Sequence, residues 1–227
     1  GTGSAIAPIL GKAGASAVVN ALGVAPNSLD SEKFPPNEEN VFTGNHIFWN
    51  NFDVYSGKPP FKPNAAEDFV YPPGTGLFLL SGRDNRIENN RIYGNFLTGV
   101  GVSQNPFLKS AEDQRMERNR FTGNAFGQQG TDKNGRDMVY TGNGNGNCFS
   151  GNTGVETTIP APDQFPACPF DGANTESQDA FAALADWAVA KNYRKNWVVK
   201  PHAGRSDGVQ PIDGDWKNGV KYGPKTL

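Results

Sequence analysis

Apolar residues along this chain recur singly, each flanked by polar or aromatic ones, inside short segments closed by Asn or Gly. The clearest segment is Asn45-His46-Ile47-Phe48-Trp49-Asn50, and it returns at Asn90–Asn95, Asn119–Asn124 and Asn147–Asn152. Each copy has Asn at both ends, Ile or Phe at the third place, and Gly (once Trp) before the closing Asn. One inward apolar residue between two outward ones is period two, the strand period, and not the helical 3.6. Asn and Gly close each strand because both tolerate the left-handed backbone of a tight corner. Copies start at 45, 90, 119 and 147, so the later steps are 29 and 28 residues. Repeats of about 20–50 residues belong to stacked architectures.

A half-copy precedes each full one: Val41-Phe42-Thr43, Arg86-Ile87-Glu88, Arg115-Met116-Glu117 and Val139-Tyr140-Thr141. A third strand follows, as in Asn51–Val54 and Phe96–Val102. Three short strands per coil, stacked at ~4.8 Å, predict an all-β parallel β-helix of four to six coils. Aligning the four sextets predicts that Ile47, Ile92, Phe121 and Phe149 pile up inside it. Asn repeated at one corner would stack into a side-chain ladder.

The stretches Asn85-Arg86-Ile87-Glu88-Asn89-Asn90-Arg91-Ile92-Tyr93-Gly94-Asn95 and Gly146-Asn147-Cys148-Phe149-Ser150-Gly151-Asn152-Thr153 carry a resemblance. They resemble the right-handed parallel β-helix repeat proteins, the pectate-lyase-like superfamily, over about residues 15–155. That resemblance implies a right-handed solenoid and a secreted protein. It includes lyases and epimerases, yet no catalytic signature of theirs matches residue by residue.

The chain divides into coils over 1–155 and a disulfide-pinned Pro-rich segment, helix and irregular tail over 156–227. Asn20-Ala21-Leu22-Gly23-Val24 matches the corner after Asn95 with one residue fewer, so the chain starts partway through a coil. Residues 1–14 would cover that opening, or a second chain or missing N-terminal half would supply earlier coils. Polar excursions at 25–39, 55–73, 103–113 and 127–137 interrupt the repeat; the last three are expected along one edge, as a binding face. Thr175-Glu176-Ser177-Gln178 reads as a capping box. A helix to about Asn192 follows, with Phe181, Leu184, Ala185, Ala188 and Val189 on one stripe, expected to cap the last coil. Tyr193 to Leu227, with Trp197, Trp216 and Tyr222, has no clear period.

Composition narrows the function classes. Twenty-one basic residues stand against 23 acidic, a net charge of −2, which argues against a nucleic-acid binder working by phosphate neutralisation. Gly 28 and Pro 17 suit a turn-dense all-β chain. No run approaches about 18 apolar residues, so no membrane span is expected. With no charged-then-apolar leader and no initial Met, the sequence reads as a mature, processed or trimmed product. Cys148 sits at an outward strand position and Cys168 lies in the Pro-rich segment Pro160–Pro169. A bridge between them would pin that segment to the last coil, worth roughly 3 kcal/mol in the chain-entropy model. The reading favours it over two free thiols, and with it an extracellular location.

Alignment of the sextets places His46, Arg91, Arg120 and Cys148 in one outward column and Phe48, Tyr93, Thr122 and Ser150 in the next. Arginine beside aromatics suits an acidic polysaccharide, through stacking and bidentate carboxylate contacts; an ordinary solvated face is the alternative. His46, Phe48, Arg91, Tyr93 and Arg120 are therefore the candidate ligand residues. Arg86, Glu88, Arg115 and Glu117 read as balanced surface charges. Asp132, Asn134 and Asp137 alternate oxygens around a Gly, a weak calcium pattern that lacks the distal Glu of an EF-hand and reads first as a turn. His46 and His202 are the only histidines, and no cofactor or metal cluster is expected. Arg83, Asp84, Asp113, Arg118 and Arg136 could serve lyase or epimerase chemistry. The sequence thus points to a secreted or cell-surface glycan-binding or structural subunit, with a polysaccharide lyase or epimerase as the alternative.

Overall fold

The computed structural model describes residues 30, 32–33, 35–50, 74–95, 97–128 and 132–188. The expectations for residues 1–29, 55–73 and the tail after 188 lie outside these residues.

The chain winds through short parallel strands. β1 (Val41–Thr43) and β2 (His46–Phe48) form a partial first turn. β3 (Thr75–Leu80), β4 (Gly82–Arg83), β5 (Arg86–Glu88) and β6 (Arg91–Tyr93) complete one turn. β7 (Thr98–Ser103), β8 (Met116–Glu117), β9 (Arg120–Thr122) and β10 (Ala125–Phe126) complete the next. β11 (Met138–Tyr140), β12 (Gly144–Asn145) and β13 (Cys148–Ser150) build a third, which Thr153 closes through a bridge to Ala125; β14 (Thr158–Ile159) starts a fourth. Four parallel sheets result, in the orders β1-β5-β9-β13, β10-β6-β2, β14-β11-β7-β3 and β12-β8-β4. Each turn therefore holds four strands, where three were expected. The described residues hold three full turns with a partial turn at either end.

The solenoid is right as expected, but the alignment of its coils slips by one strand. Phe42, Ile87, Phe121 and Phe149 form one inward column. Ile47 and Ile92 stack in a different sheet, above Phe126. The sextets starting at Asn119 and Asn147 thus correspond to Asn40 and Asn85, not to Asn45 and Asn90. Arg115-Met116-Glu117, which the sequence pattern aligns with Arg86–Glu88, belongs instead to the sheet of β4 and β12. The cause is plain in the second turn: Asn85, Asn90 and Asn95 recur every five residues, so the sextet pattern fits either of two neighbouring strands.

Asn builds three corners and not one. The first ladder runs Asn40, Asn85, Asn119, Asn147, Asn174; the second Asn45, Asn90, Asn124, Asn152; the third Asn50, Asn95, Asn134. At each rung an Asn donates its backbone N–H and its side-chain N–H to the amide oxygen of the Asn one turn on. Asn85 gives both to Asn119 at 3.0 and 2.8 Å. The other side-chain hydrogen goes back to a carbonyl one turn earlier, as from Asn119 to Gly82 at 2.9 Å. Four of these amides, Asn85, Asn95, Asn119 and Asn147, are fully buried. They are affordable there because their hydrogen-bonding groups are satisfied.

Inside, Ile87, Ile92, Val100, Val102, Met116, Phe121 and Tyr140 form the core, with Phe121 and Phe149 stacked at 4.9 Å. A solenoid must cover the apolar end of its last turn. The helix α1 (Gln178–Ala188) was expected there, but lies instead along the flank. Its Ala180 and Leu184 pack with Val139, Phe78 and Ile159 on the outer face of the β3-β7-β11-β14 sheet. Gly101 makes room for that layer: a Cβ would press into the Phe78 ring. Ser177, not Thr175, caps the helix, its hydroxyl accepting the Ala180 N–H at 3.2 Å.

Phe165 covers the end. Its ring lies 4.9 Å from Phe149 and 5.7 Å from Tyr140, and the Pro166 carbonyl accepts the Phe149 N–H at 2.7 Å. The Cys148–Cys168 disulfide is formed, with an S–S distance of 2.06 Å. Burial of outward-facing Cys148 follows from the segment that this bridge holds over it.

Candidate functional site

The outer surfaces of two neighbouring sheets meet at the first Asn corner and form a continuous charged groove. Its larger part, ≈ 780 Å³, is lined by Asp84, Arg86, Glu117, Arg118, Arg120 and the Pro169-Phe170-Asp171 segment, among others. A second part, ≈ 400 Å³, continues past Glu117, Arg118 and Asn145 to Arg83, Glu112 and Arg115. Strand alternation creates the floor. Ile87 and Phe121 point inward, so Arg86 and Arg120, one turn apart and paired in register, point out together. In the adjacent sheet Arg83, Glu117 and Asn145 form the next outward column.

The disulfide sets one wall, because Phe170 follows Cys168 by two residues and Cys148 ends the Arg86–Arg120 column. The excursion after β7 sets the other. Its Asp113 carboxylate meets Arg83 Nη2 at 2.5 Å, with Glu38 at 3.6 Å from Nη1. The excursions after Ser103 and after β10 do not share one edge, because they leave from different corners.

At the groove floor Arg118 donates from Nε and Nη2 to the two Asp84 carboxylate oxygens, at 2.8 and 2.7 Å. These bonds, helped by the charges of Arg118, Arg120 and Arg83, hold the Asp84 carboxyl below the ordinary range. The same pairing pushes the Arg118 guanidinium higher. Both groups thus stay charged and are moved away from neutral pH. Arg86 has only a 3.8 Å contact with Glu88, and Arg120 forms no ion pair among the described residues. Two adjacent guanidinium groups, a fixed fork and a half-buried ring form a surface able to hold carboxylates on a flat, polar chain.

The five predicted ligand residues separate. Arg120 lies in this groove. His46, Phe48, Arg91 and Tyr93 gather on the outer face of β2 and β6, where His46 pairs with Arg91 and Phe48 with Tyr93. There Phe48 and Tyr93 stack at 5.1 Å, His46 meets Tyr93 edge-on at 6.2 Å, and Trp49 meets Phe48 at 5.9 Å. Tyr93 is buried, which raises the pKa of its hydroxyl. This is a packed aromatic cluster with His46 and Arg91 at its exposed rim.

Asn134 and Asp137 serve the backbone frame. Asn134 is the last rung of the third ladder. One Asp137 oxygen accepts the N–H groups of Glu156 and Thr157 at 2.8 and 3.0 Å and the Thr157 hydroxyl; the other accepts from Asn134. Among the described residues no group of His, Cys, Asp or Glu has metal-binding geometry. Of the groove residues, Glu112, Asn145, Phe170 and Asp171 went unread in the sequence. For Phe170 and Asp171 the Cys148–Cys168 pairing was the available signal, since it brings their segment beside the arginine column.

These features define, among the described residues, a β-solenoid with an open groove lined by arginines and carboxylates together. The description Right handed beta helix region matches residues 27–159, more than half of the chain, and the chain belongs to that family. No curated protein and no solved structure matches it. No helix among the described residues is long and apolar enough to cross a membrane.

Proposed function

We propose that this protein is a secreted or cell-surface glycan-binding subunit, which holds an acidic polysaccharide in the groove along Arg86, Arg118 and Arg120. The observation that carries this reading is the pairing of Arg86 with Arg120 on successive turns. Like charges at neighbouring rungs repel, and Glu88 at 3.8 Å from Arg86 and Asp84 near Arg120 offset that only in part. Carboxylates on a bound chain would remove that repulsion. Phe170, half-buried in the wall, offers a face for sugar stacking. The disulfide supports an oxidising compartment.

A polysaccharide lyase or epimerase is the second reading, favoured by the convergence of Asp84, Glu117 and three arginines in one groove. Proton transfer near neutral pH needs a group poised to titrate there, whereas Asp84 and Arg118 shift in the opposite directions. Affinity electrophoresis in gels holding polygalacturonate, alginate or neutral dextran tests both readings. Retardation by the polyuronates alone is expected, weakened in Arg120→Gln; equal migration in all three gels sinks the binding reading. Ultraviolet absorbance from unsaturated uronate, followed on the same mixtures, is expected to stay flat, and a rising trace moves the assignment to a lyase.

An assembly role rests on the first turn. Val41 and Phe42 are 49% and 38% exposed there, and β1 and β2 are edge strands among the described residues, which a further turn from another chain would extend. Native mass spectrometry is expected to show a companion chain; a lone monomer rules this role out.

A further inference from the structure

The residue before a ladder Asn turns the corner with positive φ at every rung but the last of the first and third ladders, Asn174 and Asn134. At the second corner these residues are Gly44, Asn89, Gly123 and Gly151, types that accept this backbone readily. The third corner uses Trp49 and Gly94, and the Trp49 ring fills the space over Gly94. The first corner differs. It carries Glu39, Asp84 and Arg118 at φ 55°, 53° and 54°, and only then Gly146 at 70°. Asp tolerates the left-handed region, but a long side chain such as Arg is uncommon there. Gly146, at the same position one turn on, shows that glycine satisfies this corner.

The fold therefore has no need of a guanidinium at position 118, yet one stands there in a strained backbone. Its stem passes over Gly146, where a Cβ would come within 3.1 Å of Arg118 Cγ. Its head lies in the groove, 58% exposed. Asp84 fixes that head with two hydrogen bonds. An arginine has five N–H groups, so three remain for a ligand. Strain retained where the fold does not require it is a mark of function.

We infer that Arg118 is the specificity-determining residue of the groove, reading the carboxylate of a uronic-acid sugar, and that Asp84 is its positioning residue. The inference rests on the proposed acidic-glycan groove and says which residue discriminates within it. A sulfate ester presents similar oxygens, so dextran sulfate is the comparison ligand. Arg86 and Arg120 then supply general attraction, which follows charge and salt and not ligand geometry.

The test measures binding of polygalacturonate and dextran sulfate to the full chain and to Arg118→Gly, Arg118→Lys and Asp84→Asn, with thermal unfolding of each. Arg118→Gly should lose polygalacturonate affinity by at least about tenfold, while its Tm holds or rises by about 2–4 °C as backbone strain is relieved. Arg118→Lys should not restore affinity, because an ammonium lacks the fork. Asp84→Asn gives the decisive sign. It makes the groove more positive, so charge alone would tighten polyanion binding; loss of positioning weakens it. Tighter binding by Asp84→Asn, or wild-type affinity in Arg118→Gly, overturns the inference while leaving the groove reading intact. Equal losses on dextran sulfate overturn the assignment to uronate. A wild-type chain that binds neither polyanion overturns the groove reading, and this inference with it.

Discussion

Two outer faces of the same solenoid have opposite fates. On the β3-β7-β11-β14 sheet the outward column is Phe78, Gly101, Val139 and Ile159, and α1 covers it. On the β1-β5-β9-β13 sheet the outward column is Val41, Arg86, Arg120 and Cys148, and the arginines stay open to solvent. Backbone pairing is parallel in both sheets and the interior is continuous between them. The outward residue alone decides whether a face is closed by the protein's own helix or left for a ligand. Apolar area on one side is removed from water, at about 25 cal/mol per Å². Charge on the other keeps its hydration until a counter-charge arrives.

Four substitutions break or sharpen this contrast. The largest effect belongs to the frame common to both faces. Asn119→Ala should cost about 4 kcal/mol, since it strands the Asn85 donors and the Gly82 carbonyl in a buried ladder and leaves the Asn147 oxygen only the backbone N–H of position 119. Urea unfolding measures it; a loss under about 1 kcal/mol would mean that water replaces the amide without penalty.

Next, Val139→Asp, a fully buried outward position, should cost about 3 kcal/mol and loosen α1. Arg120→Gln, the comparable position on the open face, should change stability by no more than about 0.5 kcal/mol. Similar losses at both positions would show that the two faces do not differ in kind.

The smallest effect is in pH. Asp84 titrates lower in the folded chain than in the unfolded one because of its bond to Arg118. Its contribution is therefore complete above the ordinary Asp pKa of about 3.9 and lost as pH falls through the folded value. Both side chains are exposed, so solvent screens the pair and a few tenths of a kcal/mol is expected below about pH 4. Asp84→Asn should remove that part of the acid slope, and an unchanged slope would assign it to other carboxylates.

Much of the architecture was legible from Asn and the apolar residue two places on. Period-two strands, Asn corners, a stacked core and the Cys148–Cys168 bridge all follow from local chemistry, and each is present. Which turn stacks on which was not legible. Asn85-x-x-x-x-Asn90-x-x-x-x-Asn95 offers equivalent rungs five residues apart, so sextets match equally well when shifted by one strand. The shift moved Arg120 from the column of His46 and Arg91 to that of Arg86, and the candidate site moved with it.

The sequence by itself determined that this chain coils, because a lone apolar side chain between polar neighbours and Asn-closed corners has no better burial than stacking on its own copies. Only the tertiary structure decided the order of the rungs, the flank that α1 covers and the groove beside the disulfide. Those depend on coil lengths of 45, 34 and 28 residues between Asn40, Asn85, Asn119 and Asn147. Excursions of such unequal length leave spacing uninformative until hydrogen bonds between turns choose the partner.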